Sequence, residues 1–126
     1  MVLHQNFADF VLFLYVHMSH VDGDYHPTEM DVIRTKMSKL YPKEIDYEKK
    51  LQEAVSQYKE FDKSKLHELF KDTFHQFSHV KSAQKYKIYK DMYDIINADG
   101  KIDESETKAL ETLKEIIDLG IEAKNS

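Results

Sequence analysis

The sequence contains no cysteine. This absence excludes disulfide bonds, thiolate zinc sites, iron–sulfur clusters and cysteine nucleophiles. Glycine and proline are also scarce, with 3 and 2 residues. Because these two residue types interrupt regular structure most strongly, their scarcity favours long helices over a protein built from short strands and turns.

Long apolar segments and an excess of positive charge are lacking as well. The most apolar stretch, residues 7–18, is interrupted by Asp9 and is too short to span a bilayer. We therefore expect a buried first helix and no membrane insertion. The net charge is −5, whereas general nucleic-acid binders are more often basic, so we expect no nucleic-acid partner.

One local run of basic and aromatic residues departs from this acidic balance. It contains Lys81, Lys85, Tyr86, Lys87, Tyr89 and Lys90. Such a run is able to contact phosphates or acidic lipids. Its spacing fits a helix with solvated lysines and core-facing tyrosines better than it fits such a binding surface, and we adopt the helix interpretation.

The remaining composition is typical of a globular helical protein. Of the 126 residues, 41% are hydrophobic and 33% are charged, which fits one folded domain over residues 1–126. Apolar residues recur at helical spacing in six stretches: 7–18, 30–40, 47–58, 66–77, 86–95 and 110–117. The sequence therefore predicts an all-α, single-domain helical bundle, in which Tyr41-Pro42 ends the second helix and Gly120 ends the sixth.

A short motif occurs twice along the chain. Residues 21–29 read VDGDYHPTE and residues 98–106 read ADGKIDESE, so Asp, Gly and Glu coincide at the same internal spacing. Each copy lies between two predicted amphipathic helices. Two such matches indicate an internal duplication that produces two pseudo-symmetric Asp-Gly-x5-Glu helix hairpins.

The turn of each hairpin has a structural explanation. Gly23 and Gly100 are able to adopt a positive φ angle and end the incoming helix. Asp22 and Asp99 are able to accept backbone N–H groups in the turn. Tyr25 and Ile102 occupy the same position in the two copies, and each is expected to close the open end of its hairpin against the core.

The start of the second helix of each hairpin has a structural explanation as well. Asp103 is a good N-cap and Glu106 stands at the third helical position, which is the capping-box pattern. In the first copy His26 takes the cap position, Pro27 the first helical position and Glu29 the third. On this interpretation the repeated acidic residues are helix caps only.

The same residues allow a second interpretation as metal ligands. The candidate ligands are Asp22, Asp24 and Glu29 in the first copy and Asp99, Asp103 and Glu106 in the second. Hard divalent cations such as Ca²⁺ or Mg²⁺ require several oxygen ligands of this kind. A true EF-hand is disfavoured, because its first ligand position falls on Met18 and Ile95, which belong to the apolar stripes.

Histidine is abundant, with 7 residues. His20, Asp22, Asp24 and His26 are candidates for a transition-metal site. His75 and His79 have the spacing of a half-site for zinc or nickel on one helix. Surface or partly buried histidines without a metal are the favoured interpretation, since no HExxH motif is present.

The two motifs, VDGDYHPTE and NADGKIDESE, resemble those of the tellurite-resistance TerB family, which includes the N-terminal domain of the co-chaperone DjlA. The second motif is the closer match. The first departs from the family pattern by having His26-Pro27 where an acidic cap is usual. The central helices carry no motif of the family, and the chain has no J-domain.

The resemblance implies a compact bundle of about six or seven helices with two pseudo-symmetric hairpins. It also implies a bacterial, cytoplasmic protein linked to stress or metal resistance. The acidic residues that the resemblance assigns to metal binding are Asp22, Glu29, Asp99 and Glu106.

Three hypotheses about function follow. The first is a non-enzymatic binding module of the tellurite-resistance type, with a protein partner and a divalent cation, Ca²⁺ or Mg²⁺, at the acidic turns. The second is a purely structural protein-interaction module. The third is an enzyme in which Glu29 and Glu106 act as an acid/base pair, although no Walker loop, nucleophile elbow or dinucleotide turn is present.

Overall fold

The computed structural model of the protein describes residues 4, 6–21, 26–41, 46–98 and 100–125, with residues 119–125 described by their backbone alone. The described residues form six α-helices, a single-turn 3-10 helix and no strand. The α-helices are α1 (Phe7–His20), α2 (Pro27–Leu40), α3 (Tyr47–Glu60), α4 (Leu66–Gln76), α5 (Ser82–Ile96) and α6 (Glu104–Asn125), and the 3-10 turn spans Lys63–Lys65. The all-α prediction is confirmed.

Polar side chains mark the beginnings of several helices. The Asn6 side chain accepts a hydrogen bond from the Ala8 amide at 2.8 Å at the start of α1. The Asp46 carboxylate accepts one from the Lys49 amide at 3.0 Å at the start of α3. Each such bond satisfies an amide that lacks a partner within the helix. Local sequence chemistry therefore determines where these helices begin.

The predicted ends of two helices had different outcomes. The second helix ends at Leu40, directly before Tyr41-Pro42, as predicted. The prediction for Gly120 is wrong, because α6 continues through this residue to Asn125. A glycine inside a helix is unfavourable by only about 1 kcal/mol relative to alanine, and the helix absorbs it.

Helix α1 is the centre of the bundle. Ten successive residues from Phe10 to Ser19 are buried, and the helix contacts α2, α3, α5 and α6. Its aromatic side chains pack edge-on against α4, with Phe10 5.2 Å from Phe74 and Phe13 6.3 Å from Phe70 between ring centroids. The expected buried first helix is confirmed.

Two polar bridges join α1 to its neighbours. Asp91 of α5 accepts hydrogen bonds from the Tyr15 hydroxyl of α1 at 3.0 Å and from Lys36 of α2 at 2.9 Å. On the other side of α1, Asp9 accepts hydrogen bonds from the Tyr41 hydroxyl and from Lys50. These charged pairs connect α1, α2, α3 and α5 at the edge of the apolar core.

The prediction for the basic run on α5 is wrong in part. Lys85 is 3% exposed, whereas Tyr86 and Tyr93 are 42% and 45% exposed. Lys85 lies three residues before the buried Ile88, which places it on the core-facing side of the helix. Tyr86 and Tyr93 are seven residues apart and share the solvent-facing side.

Among the described residues, no helix is both long and apolar enough to cross a membrane.

The central position of α1 leads to a stability prediction. We expect Phe13→Ala to lower the free energy of unfolding by about 3 to 5 kcal/mol, since Phe13 is fully buried and the change leaves a cavity. The matched control is Tyr93→Ala, which truncates an exposed aromatic ring and should cost less than about 1 kcal/mol. Urea unfolding followed by circular dichroism measures both, and equal losses would contradict the central role of α1.

Candidate functional site

The second Asp-Gly-x5-Glu motif lies between α5 and α6. Gly100 has a φ angle of +77°, and its amide donates a hydrogen bond to the Asn97 carbonyl at 3.0 Å. Residues with a side chain rarely adopt this angle, so the turn requires glycine. The predicted positive φ at this position is confirmed.

Asp103 and Glu106 form a reciprocal pair at the start of α6. The Glu106 amide donates to the Asp103 carboxylate at 2.8 Å, and the Asp103 amide donates to the Glu106 carboxylate at 3.3 Å. This geometry is the capping box that the sequence predicts. Ile102, directly before it, is partly buried against the core, as expected.

The first motif has a related arrangement at the start of α2. His26 occupies the N-cap position without a side-chain capping bond, and Pro27 stands in the first turn. The His26 imidazole instead lies 3.3 Å from the Glu29 carboxylate. His26 and Glu29 therefore pair across one helical turn, in place of the reciprocal capping bonds of the second copy.

Glu29 and Glu106 share an unusual degree of burial. They stand at matching positions of the two motifs, and they are only 1% and 2% exposed. By contrast, Glu48 and Glu68, in the first turns of α3 and α4, are exposed. A carboxylate that only caps a helix works at the surface, so burial adds a feature that the capping pattern did not predict.

The structure describes only part of the two motifs and of the predicted metal ligands. Asp22, Gly23, Asp24, Tyr25 and Asp99 lie outside the described residues. Of the predicted ligands, Asp103, Glu106 and Glu29 are described. Within the described ranges, no three histidine or acidic side chains lie together in a way that could hold a metal ion. Ligation by the complete acidic turns therefore stays a prediction.

Two other sequence interpretations are resolved by the fold. Met18 and Ile95 are fully buried, so they are unavailable as first ligands of an EF-hand, as the apolar pattern indicated. The prediction that His75 and His79 share a helix is wrong. α4 ends at Gln76, because the chain turns there toward α5, and His79 lies beyond the helix.

One described residue of each motif lines a groove between α1, α4 and α6. Val21, which directly precedes the first Asp-Gly, and Ser105, which lies inside the capping box, both line it. The groove has a volume of about 380 Å³, at the lower end of the roughly 300–1,000 Å³ typical of ligand sites. The fold thus brings two distant parts of the sequence to one surface feature.

His17 forms part of the inner wall of this groove. The side chain is 8% exposed, and its Nδ1 atom is hydrogen-bonded to the Tyr58 hydroxyl at 2.9 Å. Burial, together with the positive charge of Lys63 and the nearby His20, lowers the pKa of His17 to about 4. The sequence contained a signal for this, since His17 stands three residues after Leu14 in the apolar stripe of α1.

The capping box predicts distinct effects for two substitutions of Asp103. Asp103→Ala should destabilise the protein by about 1 kcal/mol, because the Glu106 amide loses its acceptor. Asp103→Asn retains an acceptor oxygen and should change stability by only a few tenths of a kcal/mol. Urea unfolding compares the two variants, and an equal loss in both would show that charge rather than capping is the main contribution.

The buried His17 predicts a pH-dependent stability. Its lowered pKa means that the unfolded chain, with a histidine pKa of 6.5, binds the proton first as the pH falls. The stabilising contribution of neutral His17 to the free energy of unfolding is therefore present in full well above pH 6.5 and declines as the pH falls toward 4. The free energy of unfolding loses about 2 kcal/mol from this residue by pH 5. We expect His17→Gln to show a flatter dependence in urea unfolding at pH 7 and pH 5.

The control for this experiment is His75→Gln, which replaces an exposed histidine on α4. The assignment to His17 requires that the flattening be specific to His17→Gln. A similar flattening in the His75 variant would mean that titration of the histidines in general, and not the buried one, governs the pH dependence.

Comparison with known proteins supports one conclusion. No curated protein and no solved structure matches the chain. The family model described as tellurite resistance protein TerB matches residues 8–125, which is nearly the whole chain and includes all six helices from the first turn of α1 onward. Together with the two hairpin motifs, this match shows that the chain belongs to the TerB family.

Proposed function

We propose that this chain is a non-enzymatic binding domain whose acidic hairpin turns respond to a divalent cation, Ca²⁺ or Mg²⁺. Glu106 and Glu29 would be the inner ligands, and Asp99, Asp103, Asp22 and Asp24 the carboxylates of the surrounding turns. The observation that carries the proposal is the nearly complete burial of the two glutamates, at 2% and 1% exposure.

Burial of a carboxylate is unfavourable unless opposite charge or hydrogen bonds compensate for lost hydration. At Glu29 the nearby His26 supplies part of this compensation. At Glu106 the Asp103 amide supplies a hydrogen bond. A divalent cation held between such a glutamate and the aspartates of the turn would add the strongest compensation available to oxygen ligands.

The second candidate is a structural protein-interaction module in which the acidic residues are caps only. The reciprocal bonds between Asp103 and Glu106 favour it, since they give both carboxylates a role in the absence of any ion. The two candidates differ in one respect that can be measured, namely whether a cation changes the surroundings of the turns.

The biological setting that we propose follows the description of the family, tellurite resistance. On this proposal the domain acts in a bacterial cytoplasmic response to metal stress and passes its cation-bound state to a protein partner. Such a role needs a stable scaffold that carries the two motifs. The buried α1 provides the centre of this scaffold, and the motifs lie in sequence between α1 and α2 and between α5 and α6.

The experiment is a titration of the protein with Ca²⁺ and with Mg²⁺ while backbone amide NMR shifts are recorded. We expect the amides of Gly100 and Gly23 to shift with saturation at millimolar or lower concentration. Glu106→Gln should abolish the shift at Gly100 with little loss of stability, because glutamine still accepts the capping bond. The matched control is Glu111→Gln, at an exposed position of α6.

Two outcomes would decide against the cation. Absence of any shift at Gly100 and Gly23 at millimolar Ca²⁺ and Mg²⁺ would leave the structural module as the function. Retention of the shift in Glu106→Gln would show that an ion binds elsewhere, and the assignment of the buried glutamate as a ligand would be wrong.

A further inference from the structure

The groove between α1, α4 and α6 has an apolar floor. The floor is formed by Val21 at the end of α1, by Leu66 and Phe70 of α4, and by Ala109 and Leu113 of α6. These side chains come from three helices that are far apart in the sequence. A continuous apolar floor of this kind is typical of a site that receives the side chains of a partner helix.

The rim of the groove is positively charged. Lys63, His67 and Lys108 line it, and the lining contributed by the described residues includes no aspartate or glutamate. Lys63 lies 4.2 Å above the Tyr58 ring and donates a hydrogen bond to the Phe61 carbonyl at 2.9 Å. Lys108 and His67 are exposed on either side, on α6 and α4.

This rim stands out because the chain as a whole carries a net charge of −5. Lys36, by contrast, lies among acids and is paired with Asp91 and Asp94. In the described part of the chain, neither of the two rim lysines, Lys63 and Lys108, forms an ion pair with a carboxylate. Unpaired cations around an apolar floor complement a partner that is apolar along one row and acidic beside it.

We infer that the groove binds an acidic amphipathic helix of a partner protein. The partner inserts a row of apolar side chains over Leu66, Phe70 and Leu113, and its flanking carboxylates pair with Lys108 and accept a hydrogen bond from His67. The groove is open to solvent along the surface, which suits a helix laid across it. A single fatty-acid chain would instead require an enclosed tunnel.

The position of the groove connects this inference with the two motifs. Val21 directly precedes Asp22, and Ser105 lies between Asp103 and Glu106. A helix seated in the groove therefore contacts the C-terminal end of α1, directly before the first motif's Asp-Gly, and the start of α6 in the second motif. The inference rests on the proposed role as a binding domain, and it does not depend on the cation.

The probe for the experiment is a fluorescently labelled synthetic helix of about four turns, with a leucine stripe flanked by glutamates. The control probe has lysine in place of every glutamate. Binding is measured by fluorescence anisotropy in the presence of a chelator, and the contact surface is mapped by amide NMR shifts. We expect the acidic helix to bind and to shift Val21, Ser105 and Ala109, and the basic helix not to bind.

A pair of double variants tests the rim. Lys108→Glu with His67→Glu should weaken binding of the acidic helix by about tenfold or more, because one attractive contact becomes repulsive and a second carboxylate is added to the rim. The matched control is Lys114→Glu with Lys71→Glu, which changes charge on the same two helices at exposed positions outside the groove. It should retain binding within about threefold of wild type. Circular dichroism verifies that both variants are folded.

Several results would overturn the inference. They are failure of the acidic helix to bind at millimolar concentration, equal binding of the basic helix, equal weakening in the two double variants, or NMR shifts confined to another surface. Peptide binding is measured in the presence of a chelator, and cation binding is measured in the absence of the peptide. Either proposal can therefore fail without the other. Loss of peptide binding with intact cation shifts at Gly100 would remove the groove inference alone.

Discussion

Ten successive residues of α1, from Phe10 to Ser19, are removed from solvent, so this helix needs a neighbour on every side. Helices α2, α3, α5 and α6 supply these neighbours, and aromatic rings of α4 cover the remaining side. The arrangement also explains the two polar bridges through Asp9 and Asp91, which hold the surrounding helices against α1 where its apolar surface ends. The positions of both hairpin motifs depend on this packing.

The structure also buries several ionisable side chains. Glu29, Glu106, Lys85 and His17 are all nearly removed from solvent, although isolated charges are unfavourable in such places. The protein resolves this in different ways. His17 becomes a neutral hydrogen-bonding group, as its lowered pKa shows, whereas Glu106 takes part in the capping box. Burial of a glutamate in each motif is the feature from which the proposed cation response arises.

The errors of the sequence interpretation have different physical causes. A helix can be recognised from its periodicity, but the centre of its buried face depends on which helices pack against it. In the sequence, Tyr86 and Tyr93 widen the apolar stripe of α5. In the structure both are exposed, and the buried face of α5 includes Lys85 instead. Gly120 has the sequence of a helix end, yet α6 continues to Asn125. At Lys85 tertiary packing outweighed a local pattern, whereas at Gly120 the cost of a glycine inside a helix, about 1 kcal/mol, is small enough for the helix to continue.

The sequence by itself determined the all-α class, both ends of α2, the positive φ angle of Gly100 and the capping of α6 by Asp103. Each of these depends on interactions between residues within about four positions of one another. Only the tertiary structure decided that Glu106 is buried, that His17 is hydrogen-bonded to Tyr58, and that Val21 and Ser105 line one groove. These properties arise from contacts between helices far apart in the chain, and no local pattern encodes which helices meet.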